Sequence, residues 1–173
     1  MNAAVPYELI PDSADHEAAV EALYDDVFGP GRFAKAAERL REGNTKIASA
    51  SLVALDAEGL CGVVRLWPVI DANGGRAAFL GPIAVAARRR RNGVAFHLME
   101  RSVGTCRELG YPAVILVGDE AYYSKFGFRK AGRGRFALPG PVDQERILIR
   151  DLNPDADTLG GLLSVPPAAM RAS

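Results

Sequence analysis

The sequence is poor in cysteine and histidine, with two of each among 173 residues. Cys61 and Cys106 stand alone without metal-ligand spacing, so neither a disulfide framework nor a zinc site is expected, and no metal is implied. The chain also lacks an excess of either charge: 21 Lys and Arg balance 21 Asp and Glu. A dedicated nucleic-acid binder would carry a basic surplus, so nucleic acid is not an expected partner. The same balance disfavours a strongly charged partner. No apolar run approaches the ~18 residues of a membrane span, and no membrane association is expected. The first twenty residues hold Glu8, Asp12, Asp15 and Glu17 instead of a basic start and an apolar core, so a secretory signal is not expected and a cytoplasmic location is. What remains is ordinary: 49% hydrophobic and 24% charged residues, a composition that folds, at a length that buries a core without staples. There is no internal repeat. Residues 1–152 are expected to form one domain, and 153–173, with Pro154, Pro166 and Pro167, a loosely packed tail.

Tyr7–Ile10 reads as a strand, with Asp12 or Ser13 capping the helix that follows. Ala19, Val20, Leu23, Tyr24 and Val27 recur at three- and four-residue spacing, which places them on one helical face. Gly29-Pro30-Gly31 ends that helix. Phe33, Ala37 and Leu40 point to a second short helix ending near Gly43. Three β-rich runs follow: Ser51–Leu55, Leu60–Val69 and Arg76–Val85. Ala57-Glu58-Gly59 and Asp71-Ala72-Asn73-Gly74-Gly75 join them, so they read as an antiparallel meander. Ala95, Leu98, Met99, Ser102, Cys106 and Leu109 form the buried stripe of a later helix, with Gly110 as its C-cap. Cys106 therefore reads as core and not as a nucleophile. Ala113–Val117 is continuously apolar, as a central strand buried on both faces must be. The strand–helix–strand order implies a parallel crossover between the strands at 80 and 115. Tyr122–Phe126 reads as a short helix closed by Gly127, and two more strands are expected near Arg133–Leu138 and Arg146–Asp151.

Two features carry chemistry. Pro82 interrupts an apolar strand, and proline has no amide hydrogen to give to a ladder. With Gly81 beside it, a bulge is expected, leaving neighbouring backbone groups free to bond something else. Then comes the run Arg88–Arg91, followed by Asn92-Gly93-Val94-Ala95 at the start of a helix. A helix start has free amides and the positive end of a dipole, so it favours an anion. Gly93 and Ala95 are small enough for close approach, and a pyrophosphate fits this turn better than a single carboxylate. The alternative is a tight turn under a solvated basic surface. The glycine patterns of triphosphatase loops and of dinucleotide folds are absent.

These residues resemble those of the GCN5-related N-acetyltransferases. Arg90-Arg91-Asn92-Gly93-Val94-Ala95 fits the family's Gln/Arg-x-x-Gly-x-Gly/Ala motif, and Leu80-Gly81-Pro82-Ile83-Ala84-Val85 resembles the strand before it. Tyr123-Ser124-Lys125-Phe126-Gly127-Phe128 matches its Tyr-x-x-x-Gly-Phe segment. The stretch from Gly118 to Phe128 is similar to the bacterial YhbS-like branch. The resemblance covers residues 48–130, with two motifs in order and one helix and one strand between them.

The resemblance implies an α/β fold: a mixed, mostly antiparallel sheet of six to seven strands flanked by helices, splayed into a V between the central parallel strands. It implies acetyl-coenzyme A as co-substrate and direct acetyl transfer to an amine in a ternary complex. The amides from Arg91 to Phe96, that is Arg91, Asn92, Gly93, Val94, Ala95 and Phe96, would hold the pyrophosphate, with Arg90 opening the motif. Backbone groups of Ile83, Ala84 and Val85 would bond the pantetheine arm. Tyr123 would protonate the departing thiolate, and Tyr122 lies one position off the motif. The remaining arginines would meet the 3′-phosphate or solvent. The sequence departs from the family at Ala87, where a proline is usual, and at Gly118-Asp119, where many relatives have asparagine. Asp119, Glu120, His16 and His97 are weighed as bases, and none is assigned. The acceptor, a small-molecule or peptide amine, is not legible. Homodimers are common in the family. A coenzyme A-binding regulatory module without catalysis is the rival reading.

Overall fold

The structure, a computed structural model, describes residues 6–31 and 35–171. β1 (Glu8–Pro11) leads into a single-turn helix, Ala14–His16, and then α1 (Glu17–Phe28). The second expected helix is a short 3-10 segment, Ala36–Leu40, and Phe33 lies outside the described residues. β2 (Leu52–Asp56), β3 (Gly59–Ile70) and β4 (Arg76–Val85) form the expected meander, with β1 added antiparallel to β2. α2 (Val94–Glu108) then crosses over to β5 (Ala113–Val117), which lies parallel to β4. A short helix, α3 (Glu120–Tyr123), precedes β6 (Arg129–Lys130), β7 (Phe136–Ala137), β8 (Ile147–Asp151) and β9 (Gly161–Leu162). The main sheet has seven strands in the order β1-β2-β3-β4-β5-β8-β6, mixed and mostly antiparallel as expected. The strand expected over 133–138 shrinks to β7 and leaves that sheet to pair with β9. No described helix is long and apolar enough to cross a membrane.

Strand alternation divides the core in two. Ala78, Leu80, Val114, Leu116 and Leu148 pack on the face covered by α1 and α2. Ala77, Phe79, Ala113, Ile115, Ile147 and Ile149 pack on the other, with Leu40 and Phe136. β5 is thus buried on both faces, which its unbroken apolar run requires. The helical stripes shift slightly from the spacing. Ala19 is exposed in α1. In α2, Val94 and Val103 are buried, Ala95 is half-buried and Leu109 is exposed beside the left-handed Gly110.

Residues 153–164 are not loosely packed. Asn153 accepts the Asp155 amide at 2.9 Å and starts a 3-10 turn, Pro154–Thr158. Ala156, Leu159 and Leu163 enter the second core. Ile70 and Ser164 exchange backbone hydrogen bonds of 3.0 and 2.9 Å. The buried Asp71 accepts the Asn73 and Gly75 amides of its own hairpin and, with its other oxygen, the Gly160 amide at 2.9 Å. Pro154 shapes this segment and does not loosen it.

Candidate active site

β4 and β5 oppose each other only at Ala78–Val114 and Phe79–Ile115. Beyond Phe79 they part, which is the expected V. From Ile83 to Val85, β4 keeps its partners Val64, Val63 and Gly62 on the β3 side. Among the described residues no strand pairs with its other edge there, so its outward amides and carbonyls stand ready for an extended guest.

The parting begins at the expected bulge. Val64 opposes Ile83 and Leu66 opposes Leu80, so Gly81 and Pro82 together face Arg65 alone. Gly81 has φ +140°, a conformation closed to most side chains. The carbonyls of the bulge are clamped. Trp67 Nε1 donates to Gly81 O at 2.7 Å, and the Tyr24 hydroxyl donates to Pro82 O at 3.3 Å. Burial holds the Tyr24 phenol well above its ordinary range, so it stays a donor. Arg65 is fixed in turn: its Nε donates to Asp12 at 2.7 Å and its Nη2 to Glu17 at 2.8 Å, while Lys46 reaches the same Asp12 oxygen at 2.7 Å.

At one end of the free edge lies the turn before α2. Arg91 (φ 66°) and Gly93 (φ 82°) are both left-handed, which curls the turn into a concavity of the kind that suits an anion, although the Asn92 amide is already taken by the Arg89 carbonyl at 3.2 Å. The His97 amide takes the Gly93 carbonyl at 3.0 Å, so Val94, Ala95 and Phe96 form the first turn, where amides lack intrahelical partners. Gly62 seats this turn on β3. A Cβ there would lie 2.9 Å from Val94 Cγ1 and 3.1 Å from Leu98 Cδ1. The four arginines divide into two pairs. Arg88 and Arg89 donate to Asp56 at 2.9 and 2.7 Å, and Arg88 also pairs with Glu58 at 3.1 Å. Those hydrogen bonds, Arg88's first, hold the Asp56 carboxyl well below the usual range. Arg90 and Arg91 are exposed at the turn.

At the other end stands Tyr123, on the last residue of α3. Its ring occupies the space beside Gly118, where a Cβ would meet Cε2 at 2.4 Å. Gly118 is thus what admits the tyrosine ring. Among the described residues nothing hydrogen-bonds to the Tyr123 hydroxyl. Burial, reinforced by Tyr122 and Asp119 against the pull of Arg146, pushes its pKa up to about 12. It is a neutral, unengaged donor at physiological pH.

Leu80–Ile83, Leu116 and Tyr123 line one side of a cavity of about 770 Å³. Its far wall comes from the 3-10 segment at 36–40 and the loop at 139–143. The other sequence candidates lie elsewhere. His97 Nδ1 meets the Tyr7 hydroxyl, and His16 Nδ1 accepts the Ser13 amide at 3.0 Å. Glu120 accepts the Lys130 amide at 3.0 Å. Cys106 is fully buried, with its thiol pushed up to about 12 by burial. Tyr24, Trp67, Gly62 and Gly118 carry no motif. Only the lone tryptophan facing a bulge-prone strand was a usable signal for any of them.

The profile of the acetyltransferase (GNAT) domain matches residues 12–131. The chain belongs to the GNAT acetyltransferase family. Among its relatives in that family is the uncharacterized N-acetyltransferase YhbS of Escherichia coli K12. It is 33% identical over 140 residues, which cover 79% of this chain and 82% of YhbS. The crystal structure of E. coli YhbS in complex with coenzyme A superposes with a TM-score of 0.80 at 27% identity, covering 100% of this chain and 97% of that one. A GNAT acetyltransferase from Brucella melitensis, solved with acetyl-coenzyme A, shares the fold at a TM-score of 0.59 and 22% identity, over 83% of this chain and 95% of its own. The GNAT fold thus brings both sequence motifs of this chain to one splayed strand, at opposite ends of its free edge.

Proposed function

We propose that this GNAT acetyltransferase moves the acetyl group of acetyl-coenzyme A directly to an amine within a ternary complex. The observation that carries this reading is the unpaired β4 edge, with an anion-binding turn at one end and a lone phenol at the other. The residues present fit the co-substrate. The amides of Arg91 and of Gly93 to Phe96 bind the pyrophosphate, the Asn92 amide being held by the Arg89 carbonyl, with Arg90 and Arg91 adding charge. The open edge at Ile83, Ala84 and Val85 aligns the pantetheine arm as an added strand. A strand amide polarises the thioester carbonyl. The amine nitrogen attacks that carbon, the carbon–sulfur bond breaks, and Tyr123 gives its proton to the leaving sulfur. The nitrogen loses one proton to solvent, and the Tyr123 phenolate takes one back from solvent, so the protons balance. Two buried, unpaired thiols, Cys61 and Cys106, suit a reducing cytoplasm as the working compartment.

Thiol release from acetyl-coenzyme A tests this reading. Tyr123→Phe is expected to lower kcat by roughly 10²-fold. Stabilisation by acetyl-coenzyme A in a thermal melt should be unchanged. An unchanged rate removes the general-acid role. Binding without turnover under any amine leaves the non-catalytic coenzyme A module standing instead.

A further inference from the structure

Charge on the acceptor side of the cavity is one-sided. Four cationic side chains line it, Lys35, Arg39, Arg41 and Arg146, against the single carboxylate of Asp143. Over the whole chain the two signs are equal, so this excess belongs to the cavity. Arg39 and Arg41 are tied to Glu42 and Glu38 at 3.0 and 2.9 Å. Lys35 has no such carboxylate among the described residues. The carboxylate facing Arg146 is Asp119, at 3.9 Å, beyond hydrogen-bond reach. Asp143 accepts the Glu145 amide at 2.9 Å and caps its own turn. Arg146 stands next to the chemistry: its carbonyl accepts the Gly118 amide at 2.9 Å, and Gly118 abuts the Tyr123 ring. The residues at 87–96, where the cofactor's phosphates would lie, do not line this cavity, so its cations are not accounted for by that site.

We infer that the acceptor is a small amine carrying its own anionic group, a carboxylate or a phosphate, held by Arg146 and Lys35 beside Tyr123. This rests on the acetyl-transfer reading above. A simple ammonium entering a cationic cavity is repelled, and only an acceptor that brings negative charge offsets this. Glu120, His16 and His97 are held in other contacts, so the amine gives its proton to solvent. A cavity of about 770 Å³ suits a small molecule.

The test is a rate comparison in matched pairs, with thiol release as readout: each amino acid against its amide, and O-phosphoethanolamine against ethanolamine, with spermidine and an acidic lysine peptide as controls. The anionic member of at least one pair is expected to exceed its neutral partner by tenfold or more in kcat/KM. The amino acid and phosphate arms tell which anion is held. Arg146→Gln and Lys35→Gln should raise KM for that acceptor at least tenfold while KM for acetyl-coenzyme A stays within twofold. Neutral amines used as well as their anionic partners would overturn the inference. So would a preference that survives both substitutions, or turnover of spermidine or the peptide alone. If no amine is acetylated while acetyl-coenzyme A still raises the melting temperature, the inference fails and cofactor binding stands. If that shift is absent too, the acetyl-transfer reading itself falls.

Discussion

The two ends of the free β4 edge are built from different material. The turn before α2 is made of backbone: left-handed Arg91 and Gly93 aim amides, and Gly62 lets the helix sit where it must. The Tyr123 end is made of side chains: a phenol, a ring seated against a glycine, and a guanidinium nearby. A backbone device tolerates changes of side chain and fails when φ is forbidden. A side-chain device fails when one group moves by a bond length. Binding and chemistry should therefore respond to different substitutions.

The largest effect is expected at Gly118. Alanine there places a methyl at 2.4 Å from the Tyr123 ring, so the ring must shift. A misplacement on the ångström scale should cost roughly 10²-fold in kcat, with coenzyme A affinity nearly unchanged by calorimetry. A matching loss of affinity would show that the two ends are coupled. Next is Gly93→Val. Its Cβ finds ordinary space, 3.7 Å from His97, so the penalty is conformational, at φ 82°. Coenzyme A should bind about tenfold more weakly, with kcat at saturation preserved. Arg91→Gly should be milder, because glycine accepts the left-handed geometry and an exposed charge contributes little. A change in Kd within about threefold is expected at physiological salt. A larger, salt-dependent loss would mean that side chains carry the phosphate end after all.

The smallest effect is a slope against pH. Because the Tyr123 pKa is raised in the fold to about 12, its contribution to stability is full below the ordinary phenol value of ~10 and fades as pH rises toward about 12. Melting temperatures measured across that alkaline window should fall more steeply for the native chain than for Tyr123→Phe. Parallel curves would mean that burial does not hold the phenol protonated.

How much of this was legible depended on how local each cause was. Gly81-Pro82 announced the bulge, and Asp71–Gly75 the hairpin, because proline's missing amide and glycine's free φ act on the spot. The turn at 90–95 and Tyr123 could be placed because each sits in a short motif beside its own helix. The packing of 154–164 could not. Ala156, Leu159 and Leu163 bury one at a time, with no period, between prolines that read as loosening. The clamps on the bulge, Trp67 and Tyr24, depend on register and helix placement, which spacing does not fix. That Lys35 and Arg146 line one cavity was equally hidden. Overall neutrality argued against a charged partner, whereas the fold lines that cavity with four cationic residues and one carboxylate. The run of adjacent arginines advertised itself, yet half of it is spent on Asp56 and Glu58.

Trp67 has one more consequence. It is the chain's only tryptophan, and its indole N–H rests on the carbonyl of Gly81, at the point where the strands part. Its fluorescence is therefore a built-in optical gauge of the cleft. Emission colour and quenching should track occupancy in real time, so cofactor and acceptor arrival can be followed by stopped flow without a dye.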